Sequence, residues 1–214
     1  MSTKVAVIGA GNVGGNLGSR FANSGFAVRY GVKEGTDASA VLARSKGADA
    51  SDPASAAKWA DVVFMAVPGS VALDVAKSLA NELKGKIVVD CNNPLVWKEG
   101  PVWTPPPEGS LAQAIAAAAP GARVVKAFNQ FGAEFHGDPS TSGGPATVFL
   151  ASDDAEAKKT VSELAQKSGF KPVDAGPIRN AGVLENVAML WIHLATVGGH
   201  GRDWVFSMQP RGAK

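Results

Sequence analysis

Short apolar runs alternate along this chain with stretches in which apolar residues recur every three or four positions. Val5-Ala6-Val7-Ile8, Phe26–Gly31, Asp61–Pro68, Lys86–Asp90 and Arg123–Phe128 are nearly continuous apolar segments, not alternating ones. That is the pattern of strands covered on both faces, as in a parallel sheet. Between them, Val13, Leu17 and Phe21 stand at helical spacing up to Gly25, and Asp37–Lys46 predicts a short helix. Ala48-Asp49-Ala50 follows as a short strand. Pro53–Trp59 predicts a helix with Asp52 as N-cap and proline at its first position. Another helix runs from Pro68-Gly69-Ser70 to about Asn81, and Ser110 caps an alanine-rich helix that reaches Ala119. Strands alternating with helices predict an α/β fold of Rossmann type, doubly wound around a mostly parallel sheet.

The second half is less regular. Pro145–Ala151 and Phe170–Asp174 read as further strands flanking a helix over Asp153–Ser168, whose first turn is acidic and whose last carries Lys167, as the helix dipole favours. Leu95–Gly109 holds two of the five tryptophans and a heavy proline load, which predicts an irregular loop. Such a loop beside a crevice is either a lid over a flat substrate or a patch covered by a partner subunit. Gly132–Gly144 predicts a second loop. From Pro177 onward, Val183, Leu184, Val187, Ala188, Leu190, Trp191, Leu194, Ala195 and Val197 make a helix apolar over most of its circumference. A helix of that kind is buried on two sides, and the same region of a second subunit is the expected second side, giving a homodimer. The chain thus divides into residues 1–176, a dinucleotide-binding unit, and 177–214, a helical segment that closes the cleft.

Chemistry enters at Gly9-Ala10-Gly11-Asn12-Val13-Gly14, where the first strand runs through Gly-x-Gly-x-x-Gly into the first helix. Gly9 permits the turn, Gly11 admits a pyrophosphate close to the backbone, and Gly14 lets helix and strand pack tightly. The anion rests on the free N–H groups at the helix N-terminus. At the end of the second strand, Val32 stands where an NAD-preferring chain carries an acid, and Lys33 can pair with a 2′-phosphate, so the pattern predicts NADP. The competing assignment leaves Lys33 in solvent and gives the ribose to Glu34. Val67, Pro68 and Gly69, at the carboxyl end of another strand, are expected against the nucleotide. Asn92-Asn93-Pro94 and Asn129 end two more strands; their amides suit a carboxamide, and Asn-Pro suits a turn equally well.

Composition narrows the function further. A formal charge of +2 with no basic cluster gives no case for nucleic acid. Cys91 is the only cysteine, and His136, His193 and His200 share no ligand spacing, so no metal site is expected. Ser2-Thr3-Lys4 leads straight into a strand and no apolar run is long enough to span a bilayer, which predicts a cytoplasmic protein without membrane contact. No hydrolase or P-loop motif is present. What remains is a nicotinamide site with no catalytic acid or base assigned. Lys126 and Glu185 are reserve candidates, read first as structural charges. Direct hydride transfer between stacked rings suits such a site, because it depends on positioning and exclusion of water.

These motifs resemble one family. Gly9–Gly14, Ala66-Val67-Pro68, Asp90-Cys91-Asn92-Asn93-Pro94, Lys126-Ala127-Phe128-Asn129 and Pro172-Val173-Asp174-Ala175-Gly176-Pro177 look like the NADP oxidoreductases dependent on coenzyme F420, a deazaflavin, over nearly the whole chain. The resemblance implies a compact Rossmann domain with a small helical C-terminal part and reversible hydride transfer from reduced F420 to NADP⁺. Carried over, Ala10 to Val13 hold the pyrophosphate, Val32 and Lys33 the 2′-phosphate region, and Val67 to Gly69 the nucleotide face. Two departures stand out. Val32-Lys33 replaces a Ser-Arg pair, and Asn129 stands where F420-using members place a histidine. Lys-Ala-Phe-Asn is similar instead to the reductase domain of membrane ferric reductases, which pass electrons to flavin. Reduction of a flavin, quinone or imine by NADPH, and an NADPH sensor without turnover, are the competing readings.

Overall fold

The computed structural model describes residues 3–208 and 211–212. Six strands form its central sheet: β1 (Lys4–Ile8), β2 (Ala27–Gly31), β3 (Asp49–Ser51), β4 (Val62–Met65), β5 (Ile87–Asp90) and, after a hairpin of β6 (Leu95–Trp97) and β7 (Pro101–Trp103), β8 (Arg123–Lys126). Their order is β3-β2-β1-β4-β5-β8, and every pairing is parallel. All six therefore end on one rim, where Met65 stands beside Asp90 and Asp90 beside Lys126. The order reverses between β1 and β4, and the crevice of such a sheet opens there.

Alternation along the strands feeds two apolar layers. Val5 and Val7 of β1 face α1 (Asn12–Asn23) and α2 (Ser39–Ala43), through Leu17, Phe21 and Val41. Ala6 and Ile8 face α3 (Pro53–Trp59), α4 (Gly69–Ser78) and α5 (Ala80–Leu83). As expected, Asp52 caps α3 by accepting from Ser55 N at 2.9 Å, and Ser110 caps α6 (Leu111–Ala118) by accepting from Gln113 N. The helix expected to run to Asn81 is broken instead at Leu79, whose ψ of 8° leaves the helical range.

Three expectations for the irregular segments need correction. Leu95–Gly109 is not without regular structure, because β6 and β7 pair antiparallel with Leu95 opposite Trp103. The prolines sit where they cost no inner hydrogen bond: Pro94 precedes the hairpin, Pro101 opens a strand, and Pro105 to Pro107 follow it. Gly132–Gly144 is not simply a loop. It folds into α7 (Ala133–Gly137) and a ribbon of β9 (Ser140–Thr141) and β10 (Gly144–Pro145), since Phe135 and His136 are buried and Asn16 of α1 donates to Ala133 O at 2.8 Å. Finally, β11 (Thr147–Leu150) and β12 (Lys171–Asp174), which flank α8 (Ala155–Lys167), form their own parallel pair. They join the main sheet at its β8 edge through an antiparallel bridge between Lys126 and Ala151 and a hydrogen bond from Ser152 Oγ to Val124 O.

After the short 3-10 turn Ile178–Asn180, α9 (Ala181–Thr196) lies across the rim. It buries Leu184, Ala188, Met189, Trp191 and Ala195 within the chain, while Val183, Leu190 and Val197 are about half exposed or more, at 61%, 50% and 49%. Only one of the two expected apolar sides is covered by this chain.

Candidate functional site

The turn from β1 into α1 is shaped by its glycines. Gly9 has φ 100°, and a Cβ there would stand 2.5 Å from Ala66 O, just past the end of the neighbouring β4. A Cβ on Gly14 would run into the carbonyl of Gly9, so helix and turn pack with no room for a side chain. Gly11 differs: a Cβ there meets nothing within 4 Å. Its missing side chain has no packing reason inside the protein, and the open space over it lies at the amide donors of the first turn of α1.

That space belongs to a cleft of about 490 Å³. One wall is Gly11, Asn12 and Val13, and the facing wall is Ala66, Val67, Pro68, Gly69 and Ser70. Two helix N-termini, those of α1 and α4, thus open into one cavity and bring it positive ends of two dipoles. Gly69 is needed because a Cβ would collide with Asn93 O. Cys91, Asn92, Asn93 and Leu95 form the floor. Burial pushes the Cys91 thiol well above its ordinary pKa, so it stays protonated. A narrower, apolar pocket of about 180 Å³ continues past the turn between Gly9, Ala10, Val32, Lys33, Val67 and Val75. Cleft and pocket together have the elongated shape and the polarity sequence of a dinucleotide: an apolar end for a base, amides for phosphates, then amide side chains. The residues present fit such a cofactor.

Of the expected contact residues, Gly9, Ala10, Gly11, Asn12, Val13, Val32, Lys33, Val67, Pro68, Gly69, Asn92 and Asn93 line these two cavities. Gly14 acts from beneath through packing. Pro94 lies beside the cleft without lining it, and Asn129 is buried behind its floor. There the Asn129 amide donates to Asn93 Oδ1 at 2.8 Å and to Leu184 O of α9 at 3.1 Å, while Asn93 donates to Asn129 O at 2.9 Å. With its NH₂ group so used, Asn129 Oδ1 is buried and has no partner among the described residues. Asn92 spends its amide on Asp90, 2.9 Å away. Asn129 follows Phe128, whose φ of 61° is an outlier for a bulky residue. That turn sends the chain back under α7, where His136 Nε2 lies 2.8 Å from Phe128 O. A carbonyl partner means that this nitrogen carries the proton. Burial lowers the His136 pKa, so the ring is neutral.

Lys126 and Glu185 are fully buried and mutually bound. Lys126 Nζ donates to Asp90 Oδ2 at 2.8 Å, to Asn92 O at 2.5 Å and to Glu185 Oε1 at 3.0 Å. Glu185 also accepts from Leu111 N at the start of α6 and from the Trp103 indole, both at 2.9 Å. All three protons of the ammonium are used, and both carboxylate oxygens are occupied. In this structure both groups are thus tied into the fold, joining β8, α6 and α9. Residues not expected at the site also line it: Ser70, Cys91 and Leu95 in the cleft, Thr36, Pro53 and Val75 in the pocket. In the sequence Ser70 and Pro53 read only as helix starts, and Cys91 stands between Asp90 and the two asparagines. Among the described residues no cluster suited to a metal ion is found, and no helix is long and apolar enough to cross a membrane.

The sheet order, the glycine turn and the twin helix ends define a dinucleotide-binding Rossmann protein. The model of the family described as NADP oxidoreductase, coenzyme F420-dependent, matches residues 4–94. The F420-dependent NADP reductase of Methanothermobacter thermautotrophicus is 30% identical over 214 residues, covering 91% of this chain and 90% of that protein. A crystal structure from Arthrobacter sp. FB24, assigned to the F420-dependent NADP reductases, superposes with a TM-score of 0.87 at 30% identity, over 98% of this chain and 100% of the other. The rat metalloreductase STEAP3 is 32% identical over 187 residues, 87% of this chain but 36% of that protein. This chain therefore spans about a third of that relative. It belongs to the F420-dependent NADP oxidoreductase family, a family of oxidoreductases.

Proposed function

We propose that this protein moves a hydride between NADP and coenzyme F420, or a flat acceptor of the same kind. The observation that carries the reading is the pairing of a dinucleotide-shaped cleft with a floor whose neighbouring charges are tied into the fold. Asp90, Lys126 and Glu185 behind it are bonded to one another and to the backbone, and burial raises the pKa of the Cys91 thiol in the floor itself. When bound, the nicotinamide supplies a two-electron carrier whose hydride passes to or from a second ring without help from a protein proton. The chain's own part is to bind and to align. The amides of α1 and α4 take the diphosphate, Gly11 leaves room for it, and Asn93, braced by Asn129, takes the carboxamide end. A role of the C-terminal segment in closing the cleft is part of this proposal, and it is supported by α9 reaching the back of the floor, where Leu184 O accepts from Asn129. A homodimer in the cytoplasm completes the reading: Val183, Leu190 and Val197 stand seven residues apart on the exposed side of α9, and a second copy of α9 would cover them.

The test is to mix the protein with NADPH and, separately, with F420, FMN and a quinone, following the absorbance of the reduced nicotinamide. Oxidation with F420 alone supports the proposal. Oxidation with FMN or quinone only, or tight NADPH binding with no turnover, would replace F420 by a flavin-type acceptor or by a sensor role.

A further inference from the structure

Arg44, which follows α2, carries a guanidinium with no carboxylate partner among the described residues. Its place is nonetheless fixed. The Arg44 carbonyl accepts from Ser19 Oγ at 2.8 Å and from Asn23 Nδ2 at 3.1 Å, which pins its backbone to α1. One arm of the guanidinium donates to Asn16 Oδ1 at 2.6 Å. The other lies flat on the flank of α1 over Gly15, where a Cβ would stand 2.8 Å from Nη2 and 3.2 Å from Ala10 O. Gly15 thus makes room for the guanidinium, and the cation comes to rest beside the glycine turn. Immobilising a long, exposed cation costs side-chain entropy, and no carboxylate among the described residues pairs with it.

Ala10 is the shared landmark. It lines the narrow pocket together with Val32 and Lys33, so Lys33 approaches it from the end of β2 while Arg44 approaches it from α2. A dinucleotide with its base in that pocket and its diphosphate over Gly11 would bring its adenosine ribose past Ala10, the residue beside which the Arg44 guanidinium rests. Lys33 alone is a poor determinant of a 2′-phosphate there: it is exposed, it precedes Glu34, and Val32 adds nothing polar. A guanidinium presents two N–H groups in a plane that suits phosphate oxygens.

Resting on the proposed nicotinamide dinucleotide site, we infer that Arg44 is a specificity determinant of that site, the residue that grips the 2′-phosphate of NADPH and separates it from NADH. Arg44 is on the surface, so its substitution leaves the core intact. Titration of the full chain with NADPH and with NADH, by fluorescence of the reduced nicotinamide, tests the assignment. Arg44→Ala is expected to weaken NADPH by at least about tenfold and to leave NADH unchanged, with Arg44→Lys in between. The salt dependence of NADPH binding falls in the alanine variant, because one phosphate contact is gone. Adenosine 2′,5′-bisphosphate and AMP, used as competitors, should show the same split. An equal loss for NADPH and NADH would mean that Arg44 only braces Asn16 and α1. Such a result overturns the inference, as does unchanged NADPH binding in Arg44→Ala or a wild-type protein that binds both nucleotides equally. If the wild-type protein binds neither, the dinucleotide reading itself fails, which is a separate result.

Discussion

The ammonium of Lys126 lies 3.0 Å from the carboxylate of Glu185, and neither side chain reaches solvent. This contact joins the C-terminal helix to the rim of the sheet, and through Asp90 and Asn92 it holds the floor of the cleft. Removing one partner of a buried ion pair leaves the other without compensation and costs roughly 3–5 kcal/mol. Glu185→Ala should therefore lower the urea midpoint strongly, since the Trp103 indole and Leu111 N lose their acceptor as well. Lys126→Met should do the same by leaving Asp90 and Glu185 facing each other. The double variant Lys126→Met with Glu185→Gln should recover part of the loss, as coupled sites do. Strict additivity in denaturation would show that the two groups do not act as a pair.

The glycines of the β1–α1 turn are expected to separate folding from binding. Gly14→Ala drives a methyl into Gly9 O, and overpacking of this kind costs about 1–3 kcal/mol. Its melting temperature should fall. Gly11→Ala meets nothing inside the protein, so its melting temperature should hold while NADPH affinity drops by more than about tenfold, or 1.4 kcal/mol. Unimpaired nucleotide binding by Gly11→Ala would place the diphosphate elsewhere.

His136 makes stability depend on pH. Its folded-state pKa lies below the ordinary value of 6.5, with burial the main cause. As pH falls through 6.5 the unfolded chain takes up a proton that the fold refuses, so stability is complete above that pH and declines below it, down to the folded pKa. His136→Gln, which keeps a donor for Phe128 O, should flatten this part of the profile in urea titrations made on either side of pH 6.5. An identical slope in the variant would assign the dependence to another group.

The proposed homodimer rests on the exposed side of α9. Leu190→Glu places a charge between Val183 and Val197 and should convert a dimer into a monomer in sedimentation, with the melting temperature of the subunit little changed. A wild-type chain that sediments as a monomer at every concentration would refute the homodimer.

Most of the sheet was legible because its strands are buried on both faces and so carry continuous apolar runs. The helices that followed them announced their ends through Asp52, Pro53 and Ser110. The glycine turn was legible for a related reason: Gly9, Gly11 and Gly14 fall within six residues of chain, although the Ala66 carbonyl that excludes a side chain at Gly9 comes from a distant strand end. The hairpin over Leu95–Trp103 was not, because its prolines look like breakers until their positions at strand ends are known. The helix at Ala133–Gly137 was hidden as well. Five residues carry too little periodicity, and it exists through the burial of Phe135 and His136 against the rest of the chain.

The sequence by itself determined the class of fold and pointed to the glycine turn proposed to hold a dinucleotide, since both follow from neighbours in the chain. Only the tertiary structure decided what the charged residues do. Lys126 and Glu185 are separated by 59 positions, and Arg44 reaches Asn16 across 28. Whether a lysine, glutamate or arginine is a free reagent, a buried strut or a phosphate clamp depends on which partners folding brings within hydrogen-bond distance, and spacing along the chain does not record that.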